Sequence, residues 1–169
     1  MHCNASTLGI DLQDLEKRHA LRIVWQPQSE HLVDELAHRL LQEVDAIKAK
    51  RVFVDGYEAF KQATLQQERM TRFMTALSIK LRSREATTIV SAETDRLSER
   101  SVDLPLEGAS PIFDNIVIMR RIERESRLVR LLSIIKVRSS DFDPSVHAFT
   151  IGSRGIDIGP TWDTDANRS

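Results

Sequence analysis

The chain has 169 residues, with 24 Lys and Arg against 25 Asp and Glu, five His and one Cys. That length is one domain by the usual size scaling, and a formal charge of −1 with a pI near 6.5 gives a field that favours neither nucleic acid nor an anionic membrane. The lone Cys3 excludes an internal disulfide framework and a Cys-rich zinc site, no apolar run approaches the roughly 20 residues of a membrane span, and no signal-peptide h-region opens the chain; together these features point to the cytoplasm.

In chain order, a short helix is expected around Asp11 to Arg18, then a strand from Ala20 to Trp25. Pro27 and Ser29 mark a turn and an N-cap, with Glu30 in the first turn where the helix dipole favours acid. Leu32, Val33, Leu36, Leu40, Val44 and Ile47 recur at helical spacing and give one amphipathic helix. Arg51 to Asp55 reads as a short strand, apolar on both faces as in a buried parallel sheet. A second amphipathic helix runs from about Gln66 to Arg82, with Met70, Phe73, Met74, Leu77 and Leu81 inward, and a third strand covers Ala86 to Glu93. The order β-α-β-α-β, with helices long enough for right-handed crossovers, predicts a parallel sheet.

The pattern then changes. Residues 94–111 form a polar stretch without a period, longer than most connections in compact domains, which marks it as functional or mobile. After it DNIVIMRRIER, SRLVRLLSIIKVR, HAFTIG and GIDIG are β-rich segments divided by charged or glycine turns, expected as antiparallel strands on the edge of the sheet. From Thr161 the tail is polar. The predicted fold is α/β, a mostly parallel sheet flanked by helices and finished by an antiparallel β-meander.

Three places can carry chemistry. Val52, Phe53 and Val54 lead into Asp55 and Gly56 at the carboxyl end of a strand, where open α/β sheets place their ligands. A carboxylate there can hold hydrated Mg²⁺, which prefers one or two carboxylates plus phosphate oxygens, or it can merely cap the next turn. Glu93 ends the third strand on the same side, where it can orient a water or a metal-bound phosphate, or stand as a solvated loop residue. Strand alternation puts Lys136 and Arg138 on one face with Val137 on the other, either an exposed phosphate clamp or a solvated edge strand. Arg120, Arg121, Arg124, Arg127 and Arg130 add a basic hairpin without interleaved aromatics, which argues for a solvated face or a subunit contact over nucleic acid. His31 and His38, seven apart on one helix, are too far apart for a one-turn metal pair and are read as surface residues. The chain contains no GxxxxGKS/T, GxGxxG, GxSxG or HExxH motif.

Taken together, RVFVDGYEAF, ATTIVSAE, FDNIVIMRRIERESRLVRLLSIIKVRSSDFD and FTIGSRGIDIG resemble, in order and spacing, the C-terminal two-thirds of a domain of the KaiC family, RecA-superfamily P-loop ATPases of the circadian clock. The resemblance covers roughly Leu8 to Gly159, so residues 1–160 are expected to form a partial RecA-like domain and residues 161–169 a tail. In that family the Walker A loop and the catalytic glutamates lie upstream of the segment that LGIDLQDL resembles. The chain is therefore expected to be a piece of a longer protein or a natural product without its own phosphate cradle, and inactive alone.

The resemblance implies ATP and Mg²⁺ bound between subunits of a hexameric ring. Asp55 would be the Walker B acid. Lys136, Val137 and Arg138 would form the strand reaching the neighbour's γ-phosphate, and Ser140 and Ser153 would lie near the nucleotide. The family motif K-x-R-G-S/T-x-H is altered here, Ser139 standing for the Gly and Phe142 for the His, and Gly56 stands where the family usually has Ser. Ser110 and Pro111 occupy the place of a paired autophosphorylation site, so a generic ATPase role is expected ahead of timekeeping. The alternative is a P-loop-less RecA-like module that assembles with a protein partner or regulates one.

Overall fold

The structure is a computed structural model that describes residues 5–6, 8–25, 33–62, 68–93 and 112–162. It divides into two compact units, one formed by Glu16–Ile112 and the other by Met1–Leu15 with Phe113–Ser169. The expected turn at Pro27 and Ser29, the polar stretch 94–111, His31 and the tail from 163 lie outside the described residues.

Helix α1, Leu12–Lys17, starts on Asp11, whose carboxylate accepts the amide of Asp14 at 3.0 Å and caps the first turn. The strand expected from Ala20 to Trp25 does not form. Leu21 and Ile23 are half-buried between exposed neighbours, the alternation that suggested a strand, but no partner ladder among the described residues pairs with them and Trp25 is 79% exposed.

Helix α2, Val33–Ile47, places Val44 in the core and ends at Lys48, whose φ of 52° stops the helix. Strand β1, Arg51–Val54, leads to a helix that the sequence reading missed, α3, Tyr57–Gln62, a turn and a half too short to display a period. Helix α4, Glu68–Arg82, buries Met70, Met74, Leu77 and Leu81, and its Phe73 meets Phe60 of α3 with ring centroids 5.6 Å apart. Strand β2, Thr87–Val90, then pairs parallel with β1, Val52 opposite Thr88 and Phe53 opposite Ile89. Among the described residues two strands rather than three make this parallel sheet. Its faces are unequal, against the expectation of burial on both sides: Val52 is in the core, whereas Phe53 and Ile89 are each 62% exposed.

The second unit is a meander of β3, Asn115–Arg124, β4, Arg127–Val137, β5, Val146–Gly152, and β6, Gly155–Thr161. All pairs are antiparallel in the order β3-β4-β5-β6, and the four strands form a sheet of their own instead of extending the edge of β1–β2. Leu131 and Phe149 are its buried centre. Glu125 and Ser126, with φ of 47° and 57°, close β3 onto β4 as a two-residue turn of the mirror-image kind that matches strand twist. A register shift between Ile116 and Val117 bulges β4 at Ile135.

Candidate functional site

Parallel pairing carries β1 and β2 out of the sheet at the same end, so Asp55, directly after β1, and the segment 91–93, directly after β2, lie together. Ser91 joins them. Its amide donates to the Val54 carbonyl at 3.0 Å, its carbonyl accepts the Tyr57 amide at 2.8 Å, and its hydroxyl accepts the Gly56 amide at 2.9 Å while donating to Asp55 Oδ1 at 3.0 Å. Gly56 turns with φ +95°, a conformation open to glycine at little cost.

Asp55 stays exposed, and Ser91 is its side-chain partner among the described residues, bonded to one of the two carboxylate oxygens. Glu93 is exposed and held through its backbone, its amide donating to Glu58 Oε1 at 3.1 Å. Tyr57 is buried beneath, and that burial, with the charge of Glu58 second, raises its phenol above the ordinary value. Sequence reasoning missed Ser91 and Glu58. A lone Ser in a strand end and a lone Glu in the first turn of a short helix have no spacing that distinguishes them from solvated residues.

The cationic group is arranged differently. The register of Asn115 opposite Val137 lays Phe113 and Asp114 alongside Lys136 and Arg138. Lys136 Nζ donates to the Phe113 carbonyl at 2.9 Å. The Arg138 amide donates to the Asp114 carbonyl at 2.9 Å, and its Nε lies 3.0 Å from Asp114 Oδ1. Of the expected exposed clamp, Arg138, just beyond the end of β4, is exposed and ion-paired within the chain, whereas Lys136 is half-buried, which corrects the expectation for Lys136. The pair is 48% and 41% exposed, the setting in which an ion pair contributes about 0–1 kcal/mol and a competing anion can displace it. Val137 is half-buried at the strand end. Ser140 is exposed, its hydroxyl donating to the Asp141 carbonyl at 3.1 Å, and Ser153 is exposed in the turn between β5 and β6.

Ser139 has φ 60°, a left-handed backbone at the position where the family motif has Gly. The loop that follows is fastened by His147, whose Nε2 lies 2.9 Å from Asp143 Oδ2 and whose Nδ1 lies 3.1 Å from the Gly159 carbonyl. Both partners only accept, so the protonated ring alone can satisfy them together. The Gly159 carbonyl first, then Asp143, hold the imidazole above its usual range, and Ser145 first, then His147, hold Asp143 down to about 2.

The described residues bring Asp55 and Glu93 together in one unit and Lys136, Val137, Arg138 and Ser140 together in the other. They contain no group of three or more His, Cys, Asp or Glu side chains that could cage a metal. One open carboxylate with a hydroxyl behind it instead fits Mg²⁺, which keeps most of its waters and takes the rest of its ligands from phosphate. No described helix is long and apolar enough to cross a membrane.

A parallel pair ending in an open aspartate, helices packed on it, and an antiparallel meander carrying a Lys-x-Arg strand define a RecA-like α/β protein. A family model described as "ATPase: KaiC" matches residues 1–163. The chain is 28% identical over 156 residues to the circadian clock oscillator protein KaiC of Parathermosynechococcus lividus, covering 92% of this chain and 28% of that protein. It is 27% identical over 156 residues to the protein of the same name from Thermostichus vulcanus, covering 92% and 30%, and 24% identical over 156 residues to that of Synechococcus elongatus, again 92% and 30%. This chain belongs to the KaiC ATPase family. It spans less than a third of the length of these curated relatives.

Proposed function

We propose that the chain is the C-terminal part of a KaiC-like ATPase domain that hydrolyses ATP at the interfaces of a ring of subunits in the cytoplasm. The observation that carries this reading is Asp55, an open carboxylate at the end of a parallel strand, anchored from the neighbouring strand by Ser91. Mg²⁺ bound there would offset charge on the β- and γ-phosphates. Asp55 would hold that ion through its waters, and Glu93 would orient the attacking water. Lys136 and Arg138 would reach a neighbouring subunit's γ-phosphate, with Val137 setting their strand and Ser140 and Ser153 lining the nucleotide. Arg138 would leave Asp114 for the phosphate, an exchange that an exposed ion pair permits. An arginine supplied in trans contributes about 10³ to 10⁵ in rate.

The chain alone is expected to show no turnover, because Asp55 by itself holds Mg²⁺ weakly and no GxxxxGKS/T stands in these residues to cradle the β-phosphate. The test mixes an Arg138→Ala subunit with an Asp55→Ala subunit of the full-length protein. If the two residues meet across one interface, mixed rings contain intact interfaces and regain phosphate release that neither variant shows alone. No recovery despite verified co-assembly overturns the trans assignment, and an Asp55→Ala protein with unchanged turnover overturns the enzymatic reading altogether.

A further inference from the structure

The β3–β4 hairpin carries Arg120, Arg121, Arg124, Arg127 and Arg130 against Glu123 and Glu125. None of the five guanidinium groups has an ion-pair or hydrogen-bond partner among the described residues. Two of the cross-strand pairs set like charges directly opposite each other, Arg121 against Arg130 and Arg124 against Arg127 at the turn. Such pairs work against the fold, since like charges facing across a ladder destabilise it. Exchanging either partner for a neutral residue would relieve the repulsion, so the arrangement is not explained by the stability of the hairpin.

Apolar side chains share the face of the first pair. Alternation along β3 puts Val117, Met119, Arg121 and Glu123 on one side, and the register adds Leu128, opposite Glu123, and Arg130 of β4, so two guanidinium groups stand against one carboxylate there. Val117 is 54%, Met119 48% and Leu128 66% exposed. Arginine and methionine beside aliphatic groups is the composition of a protein-binding patch, in which the planar guanidinium takes a carboxylate in two parallel bonds. A single-stranded nucleic acid would want aromatic platforms, and this face has none.

We propose that this face of the β3–β4 hairpin is a docking surface for a protein segment in which carboxylates alternate with aliphatic side chains. The carboxylates pair with Arg121 and Arg130, neutralising the repulsion between them, and the aliphatic groups cover Met119 and Leu128. The surface uses none of the residues assigned to nucleotide chemistry, so it stands or falls separately from that assignment.

The experiment titrates the chain into a fluorescent synthetic peptide alternating glutamate with leucine, and follows anisotropy. A lysine–leucine peptide and a mixed-sequence DNA duplex serve as comparison probes. Saturable binding of the glutamate–leucine peptide is expected, weakened by salt, and at least about tenfold weaker for Arg121→Gln with Arg130→Gln, as for other interface arginines. Leu128→Ser should weaken it too, which pure charge attraction would not require. The Arg121→Gln protein should melt no lower than the parent, because it loses a repulsion and no partner. Reversal by Arg121→Glu with Arg130→Glu should transfer the preference to the lysine–leucine peptide. Absence of peptide binding, equal binding by the double Gln variant, or a duplex that displaces the peptide and binds more tightly would each overturn the proposal, the last in favour of nucleic acid.

Discussion

Asp55 and Arg138 are opposite charges that the chain positions by opposite means. Asp55 is steadied by a side chain of the adjacent parallel strand, Ser91, whose hydroxyl accepts from one backbone amide and donates to the carboxylate. Arg138 and Lys136 are steadied largely by the main chain that precedes β3, through the carbonyls of Phe113 and Asp114. The first device depends on the identity of one residue in the partner strand. The second depends on register, which the pleat and the β4 bulge set. A substitution at Ser91 should therefore act locally and at once, whereas the cationic group should tolerate neighbouring changes as long as the meander keeps its pairing.

The largest expected effect tests that register. Leu131 is 1% exposed at the centre of the meander, and Leu131→Ala should cost about 2–5 kcal/mol in urea unfolding. If the cost falls below this range, the meander is not what holds Lys136 and Arg138. The next tests the other device. Ser91→Ala leaves the Gly56 amide without its acceptor and Asp55 without its donor, and should cost about 1–2 kcal/mol by the same measurement. Thr88 supplies a contrast from the same strand: its buried hydroxyl has no partner among the described residues, so Thr88→Val should gain about 1 kcal/mol.

The loop after Arg138 should respond to pH. His147 is held above its ordinary 6.5, so its contribution to stability is complete below that value and is lost as pH rises through the raised one. Asp143 is held down to about 2, so its contribution is present above its ordinary 3.8 and is lost as pH falls toward 2. Melting temperature against pH should thus be highest between those ordinary values, and His147→Gln should flatten the alkaline side of the profile. A variant profile that still falls on the alkaline side as the parent's does would remove His147 from the account. The smallest effect is at Ser139, where a left-handed residue costs about 1–2 kcal/mol and glycine loses part of that gain to its freedom when unfolded. Ser139→Gly should stabilise by about 0.5 kcal/mol, measured as a shift in the urea midpoint.

Legibility followed the length and regularity of the signal. The helices ending at Ile47 and Arg82 and all four meander strands were readable because apolar periodicity persists through them. The segment from Ala20 to Trp25 misled because alternation reports which residues face inward and says nothing of whether a partner strand is there to bond. Helix α3 was missed because two buried residues, Tyr57 and Phe60, do not make a period. Asp55 stands directly after β1, where the apolar run of that strand put it, whereas Glu93, expected to end the third strand, lies three residues past Val90, the last of β2. Ser91 and Glu58 were not readable, because they act through hydrogen bonds between segments more than thirty residues apart. Lys136 and Arg138 were found by type, but their attachment to Phe113 and Asp114 depends on a register that a sequence does not state.

The Glu125–Ser126 turn also bears on how the molecule assembles. It brings β3 and β4 together with almost no chain to close, whereas β1 meets β2 only after α3 and α4 have been traversed. Local hairpins form in about 1–10 μs, while a parallel pair waits for its crossover. Yet the turn is made without the Gly or Asn that favours positive φ, and each such residue costs about 1–2 kcal/mol. The hairpin is therefore quick to find and slow to keep, and its amides should gain lasting protection from solvent exchange only when β5 closes over Leu131.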